Sequence, residues 1–226
     1  MPEPATILVL GSGAGALYLR FFRKRYAEFK RATDILFAVP GVILAAPITA
    51  VLALLVKLTS PGPAFYRQER VGKDGRVFKI IKLRTMVQDA ESRTGPVWAS
   101  VDDPRETRLG RILRRTHLDE LPQLWNVLKG DMSLIGPRPE RPVFVEKFRQ
   151  EIPDYVHRLA VRPGITGWAQ VNNGYDQTLE NVRQKVVYDC EYIQRMGWGI
   201  DLQIMVATAL RMLGRRGGPV RSARRA

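Results

Sequence analysis

The feature that most constrains this chain is the stretch from Ile35 to Val56, ILFAVPGVILAAPITAVLALLV, which holds no charged residue and is bounded by Asp34 and Lys57. As a helix it would be roughly 33 Å long, close to the ~30 Å hydrocarbon core of a bilayer. A straight transmembrane span is one reading, and the buried core helix of a soluble protein is another. The prolines and the charge distribution favour a third. Pro40-Gly41 lies near one end and Pro47 near the centre, where the ring removes an intrahelical hydrogen bond and bends the axis. Residues 20 to 31 hold Arg20, Arg23, Lys24, Arg25, Lys30 and Arg31 against Glu28 alone, and the tail from Arg211 to Ala226 holds six arginines and no acid. Lys and Arg favour the cytoplasmic side of a membrane, so a straight span would strand one basic region on the wrong side. A helix that enters, breaks at Pro47 and returns keeps both against one anionic leaflet. The pattern therefore predicts a re-entrant helix over about residues 34–58.

Charge also bounds the partners. With 36 Lys and Arg against 22 Asp and Glu, the formal net charge is +14, which implies nucleic acid, an anionic membrane face or a phosphorylated small molecule. The single cysteine, Cys190, and two distant histidines, His117 and His157, cannot build a cysteine or histidine metal cage, so carboxylates would have to hold any ion. The uncharged run Ala5 to Leu19 is too short to span comfortably, and Glu3 stands where a secretory signal wants a positive charge. Gly11, Gly13 and Gly15 imitate a dinucleotide-binding turn, but a membrane hydrophobe follows where a βαβ unit should be. Residues 1–29 thus read as an apolar and basic lead-in, and 215–226 as a basic tail.

Between them, Ala64 to Val71 and Arg76 to Lys82 flank Gly72-Lys73-Asp74-Gly75 and predict a β-hairpin. Its second arm brings Lys79, Lys82 and Arg84 close together. Residues 90–107, with Gly95-Pro96, Trp98 and Pro104, predict a loop. From Arg108 the pattern is helical, with Leu109, Ile112 and Leu113 on one face and Arg111, Arg114 and Arg115 crowded on the other. Like charges at this spacing repel unless an anion lies between them, and a phosphate is the obvious one. Asp119 and Glu120 follow directly. On a helix adjacent side chains diverge by about 100°, so they suit two arms around one site rather than a proton-sharing dyad. Gly136-Pro137-Arg138-Pro139 forms a stiff segment from which Arg138 projects. Arg162 before Pro163-Gly164, with Trp168 soon after, suits a phosphate beside a flat ring, although a lone Trp also suits a core. Residues 180–196 and 201–213 predict helices, the second apolar enough to lie in a membrane interface.

In this order the segments FYRQERVG (65–72), FKIIKLRTM (78–86), LDELPQLWNVLKGDMSLIGPRP (118–139) and VRPGITGWAQVN (161–172) resemble the bacterial sugar transferase family. These are the monotopic phosphoglycosyl transferases that begin glycan assembly on a polyprenol phosphate. The resemblance runs from about Lys30 to Gly214. It implies an α+β, mostly helical monotopic membrane domain over 30–214, with a re-entrant helix-break-helix, a small β-hairpin and interfacial amphipathic helices. It implies a place on the cytoplasmic face of the bacterial inner membrane. It also implies that Asp119 attacks the β-phosphorus of a UDP-sugar, expelling UMP, and that undecaprenyl phosphate then takes the phosphosugar. Glu120 would be the partner carboxylate, with Mg²⁺ held at Asp119. By position Arg114 would meet the polyprenol phosphate and Arg138 the nucleotide sugar, with Lys82, Arg84 and Arg162 as further phosphate ligands. The partners implied are the UDP-sugar, undecaprenyl phosphate and the anionic leaflet, with no nucleic acid; a homodimer is compatible. Two positions depart from the family pattern. Ala46 precedes Pro47 where Ser is common, and Asn173 is inserted before Gly174. Two other classes of function remain open on the residues alone: a sugar-only glycosyltransferase releasing UDP, and a non-enzymatic basic protein on a membrane surface.

Overall fold

The computed structural model describes residues 13–92, 95, 97, 103–173 and 178–212. Trp98, Gly174, the first twelve residues and residues 213–226 of the arginine tail lie outside the described residues. Helix α1 runs from Gly13 to Thr59 and contains Pro40 and Pro47. The break expected at Pro47 is therefore not an interruption of secondary structure, and the lead-in from Gly13 and the apolar run share one helix. Within it Phe29–Thr59 is long and apolar enough to cross a membrane, and only 11% of its most apolar window is buried. Leu36, Ile43, Leu44 and Leu58 are exposed, which removes the soluble core-helix reading, since a core helix would cover such side chains.

Strands β1 (Phe65–Val71) and β2 (Val77–Leu83) pair antiparallel from Phe65↔Leu83 to Val71↔Val77, as the hairpin pattern predicts. The turn between them is a 3₁₀ segment, Lys73–Gly75, in which Asp74 and Gly75 take positive φ. Beyond β2 the chain folds back. Met86 bridges Glu106, and Thr107 donates its backbone N–H to Thr85 at 3.0 Å. Residues 103–107 are thus tied down at the end of the expected loop. Helix α2 (Arg108–Arg115) starts there, capped by the Thr107 hydroxyl, which accepts from the Gly110 N–H at 2.9 Å. A Cβ at Gly110 would stand 1.9 Å from the Thr85 carbonyl oxygen. Only glycine lets this helix lie against the end of β2.

A 3₁₀ turn (Leu118–Glu120), entered through His117 in the left-handed region, leads to α3 (Gln123–Lys129). Strand β3 (Ser133–Ile135) pairs in parallel with β4 (Gly164–Thr166). Between them lie α4 (Pro142–Glu151) and a 3₁₀ segment, Pro153–Ala160. The chain closes with α5 (Trp168–Asn172), α6 (Leu179–Arg195) and α7 (Trp198–Met212). Gly136 crosses Gly164 and Gly167 so closely that a Cβ at Gly164 would meet the Gly136 nitrogen at 2.1 Å. This crossing locks the stiff segment 136–139 to the second sheet.

Two apolar clusters stabilise the body by burial. Val71, Phe148, Tyr155 and Val186 form one, and Ile135, Trp168, Tyr192 and Ile204 the other. Trp168 is thus a core residue, 1% exposed, with its indole N–H donating to Glu191 at 2.9 Å. It is not a platform for a flat ligand.

Polar side chains fasten α1 to this body. The Arg31 guanidinium donates to the carbonyls of Val127 and Leu128 at 2.6 and 2.8 Å, capping the negative end of α3. Asp34 accepts from the Ser133 hydroxyl and the Leu134 N–H, both at 3.0 Å. Lys30 and Tyr26 converge on Asp201 of α7 at 2.5 and 2.8 Å.

Candidate active site

The Leu118–Glu120 turn puts its two carboxylates in different surroundings. Glu120 is gripped by two cations: Lys82 Nζ lies 2.6 Å from Oε1, and Arg138 Nη2 lies 2.5 Å from the same oxygen. Asp119 is buried and makes no hydrogen bond or ion pair among the described residues. Of the adjacent acids one is thus engaged and one unengaged.

Their titration follows from this. Burial would push the Glu120 carboxyl up, but the charges of Arg138 and Lys82 outweigh it and hold the group well below the usual range. For Asp119 burial wins. It raises the carboxyl above the ordinary aspartate value, the Glu120 charge adds to the effect, and Lys82, Arg138 and Arg114 oppose it. Burial likewise lowers Lys82, opposed by the Glu120 charge. The site therefore combines a fixed anion, two cations and a desolvated carboxylate that burial pushes toward its protonated form against the pull of the neighbouring cations.

Each member is positioned by the fold. Lys82 sits near the end of β2, whose open edge is stapled to α3 by Asn126. That buried amide accepts from the Ile81 N–H at 3.1 Å and donates to the Lys79 carbonyl at 2.9 Å. Arg138 is held from behind by its own carbonyl, which accepts from Arg158 Nη2 at 2.7 Å. Arg158 is in turn fixed by Asp189, with Nε at 2.9 Å and Nη2 at 2.8 Å from Oδ2, both partners fully enclosed. On the far side of Arg138, Arg70 donates to the Pro139 carbonyl at 3.0 Å and Lys185 pairs with Glu140 at 2.6 Å. Burial would raise Glu140, but Lys185 and Arg158 pull it down to about 2.

Of the residues singled out in the sequence, Asp119, Glu120, Lys82 and Arg138 come together. Arg114 borders them, near enough for its charge to act on Asp119. Its guanidinium pairs with Glu106, Nη1 to Oε1 at 2.6 Å, and Arg111 approaches the same carboxylate at 3.8 Å. A protein carboxylate thus lies where the crowded arginines called for an anion. Arg84 does not join the group. Its guanidinium donates to the Ser60 carbonyl at 2.9 Å and to the Pro61 carbonyl, closing the end of α1. Arg162 does not join it either, since its Nε donates to the Gly130 carbonyl at 3.1 Å beside a separate cavity. Asn126, Arg158, Asp189 and Glu106 were missed in the sequence. An Asn inside the apolar run LWNVLK was the one available signal; the others depend on contacts distant in sequence.

Among the described residues no group of three or more His, Cys, Asp or Glu stands together. A divalent ion would find one unengaged carboxylate, Asp119, and would need its other oxygens from phosphate and water, a donor set that suits Mg²⁺.

A buried free carboxylate beside paired cations is the equipment of phosphate-transfer chemistry. The chain matches the bacterial sugar transferase family model over residues 25–215, and it belongs to that family. It is similar to the UDP-N-acetylgalactosamine-undecaprenyl-phosphate N-acetylgalactosaminephosphotransferase of Aeromonas hydrophila, 48% identical over 183 residues, 81% of this chain and 43% of the relative. A putative undecaprenyl-phosphate N-acetylgalactosaminyl 1-phosphate transferase of Bacillus subtilis (strain 168) is 60% identical over 135 residues, 60% of this chain and 75% of the relative. The exopolysaccharide production protein PSS of Rhizobium leguminosarum bv. phaseoli is 38% identical over 194 residues, 84% of this chain and 97% of the relative. The chain thus spans less than half of the Aeromonas relative and nearly all of the Rhizobium one.

Proposed function

We propose that this protein transfers a sugar-1-phosphate from a UDP-sugar to undecaprenyl phosphate at the cytoplasmic face of a membrane, releasing UMP and starting a polysaccharide. The observation that carries the reading is the contrast within the acidic pair: Glu120 saturated by Lys82 and Arg138, Asp119 desolvated and without a partner. A carboxylate stripped of hydrogen bonds is a better nucleophile than a solvated one.

In the first half-reaction an Asp119 oxygen forms a bond to the β-phosphorus. The bond from that phosphorus to the bridging oxygen breaks, and UMP leaves with the electron pair. In the second, a phosphate oxygen of undecaprenyl phosphate attacks the same phosphorus and Asp119 is released as carboxylate. Arg138 and Lys82, held in place by Glu120, face the non-bridging oxygens where charge gathers. Arg114, at the border of the group, would receive the lipid phosphate by exchanging its Glu106 partner for it. A Mg²⁺ ion bound at Asp119 and the diphosphate would neutralise charge on the leaving nucleotide.

Both substrates can meet only if the site lies at headgroup level, and the packing of α1 supports a re-entrant anchor. Ala38 belongs to the cluster containing Ile80 of β2, and Val56 to the cluster containing Leu83 of the same strand. On a straight helix Ala38 and Val56 would stand roughly 27 Å apart, whereas Ile80 and Leu83 are roughly 10 Å apart along a strand. A bend near Pro40 and Pro47 accommodates the difference and returns both flanks to one body. Exposed Trp198, Leu202, Val206 and Met212 give α7 an apolar face for the same interface.

The test is product identity. The purified chain, supplied with undecaprenyl phosphate and a panel including UDP-N-acetylgalactosamine and UDP-glucose, should release UMP with at least one sugar. Release of UDP would establish transfer of the sugar alone and refute the proposal.

A further inference from the structure

A cavity of about 350 Å³ opens between the start of the apolar helix, β3 and α6, and none of the acidic pair, Lys82, Arg114 or Arg138 lines it. Its wall carries four cations, Lys30, Arg31, Lys73 and Arg162, against one acid, Asp34. The acid is already occupied by Ser133 and Leu134, and Lys30 and Arg31 have partners in Asp201 and the α3 carbonyls. Arg162 commits only Nε, to Gly130, and its terminal nitrogens meet no partner among the described residues. Lys73 has only a 4.0 Å approach to its exposed neighbour Asp74. Two cations with unused donors thus face a space too large for one water, beside apolar Ile193 and Met196.

We propose that this cavity binds a phosphate group, with Arg162 and Lys73 as its ligands, at a site separate from the Asp119 centre. The chemistry is that of a guanidinium fork with an ammonium closing on phosphate oxygens. Because Lys30 and Arg31 begin the apolar part of α1, the phosphate can belong to an anionic lipid headgroup whose glycerol lies on the apolar wall; that source rests on the membrane reading above. A free phosphate compound offers the same oxygens from the aqueous side.

The test needs no turnover, so it stands apart from any failure of the transferase reading. The full chain is placed in nanodiscs of phosphatidylcholine with a minor share of phosphatidylglycerol, and co-retained lipid is counted by native mass spectrometry. In phosphatidylcholine alone, thermal unfolding is followed with added inorganic phosphate. Losing one charge-assisted hydrogen bond should lower affinity about tenfold or more. Phosphatidylglycerol retained above its share in the wild type, and reduced to that extent in Arg162→Gln and Lys73→Gln, supports a lipid occupant. Stabilisation by inorganic phosphate, lost in the same variants without lipid enrichment, supports a soluble one. Lys73 lies on an exposed turn, so its variant keeps the test valid if Arg162→Gln folds poorly. Enrichment or stabilisation unchanged in the variants places binding on the basic termini or at the Asp119 centre and overturns the proposal, as does the absence of both effects.

Discussion

Replacing Asp189 by Asn leaves Arg158 charged, almost wholly buried and without its anionic partner. Breaking a buried pair from one side costs about 3–5 kcal/mol, because the surviving charge keeps its desolvation penalty. In a domain of 150–250 residues, with roughly 2–4 °C per kcal/mol, the unfolding midpoint should fall by roughly 6–20 °C. The double variant Arg158→Met with Asp189→Leu removes both charges and fills the space with apolar atoms. It should recover most of that stability, since exchange of a buried pair for packed hydrophobes is often neutral or favourable. Its activity should not recover. The bond from Arg158 to the Arg138 carbonyl is gone in the double variant, so Arg138 loses its support whether or not the body is stable. Thermal unfolding in detergent and steady-state kinetics on the three proteins separate the effects. A double variant as unstable as Asp189→Asn would refute the electrostatic argument. A stable and fully active double variant would show that Arg138 needs no such support.

Other consequences follow from the same geometry. Asn126→Ala strands the Ile81 N–H and the Lys79 carbonyl, at about 1–3 kcal/mol for each group left unsatisfied. The midpoint should drop by several degrees and activity should fall with the shifted Lys82; a change within experimental error would discount the staple. If Asp119 attacks as proposed it must be ionised, so kcat/KM should decline as pH falls through a pKa that burial places above the ordinary aspartate range. Glu120→Gln deletes a neighbouring negative charge and turns Lys82 and Arg138 toward Asp119, so the acid limb of the residual activity should move to lower pH; a move to higher pH contradicts the assignment. In a Cys190→Ser background, Phe29→Cys and Pro61→Cys should both react with an impermeant thiol reagent from the same side of sealed vesicles. Labelling from opposite sides would establish a straight span.

Much of this was legible in the sequence because the signals were local. The uncharged run with its prolines, the Lys-Asp-Gly turn of the hairpin and the acidic pair after an arginine-rich helix each depend on neighbours within a few positions. The hairpin and the last two helices lie where periodicity puts them. What the sequence leaves open depends on contacts between distant segments. Arg84 looked like a phosphate ligand because it shares a strand end with Lys82, but the carbonyls left open at the end of α1 reach it first. For Trp168 a core position is the more common outcome for a lone Trp, and packing against Tyr192 and Ile204 bears it out. Glu106, more than a helical turn before Arg114, gave no sign that it would supply the anion those arginines require. The helix continues through Pro47 because a proline removes one hydrogen bond and bends the axis without ending the helical backbone on both sides.

The covalent role proposed for Asp119 is tested most directly by rapid mixing of the protein with a UDP-sugar that supports product formation, with no lipid acceptor present. One equivalent of UMP should appear in a burst, and intact mass should rise by one phosphosugar in the wild type and not in Asp119→Asn. A preparation that forms lipid-linked product when acceptor is added, yet gives neither burst nor adduct without it, would show direct transfer between the two substrates.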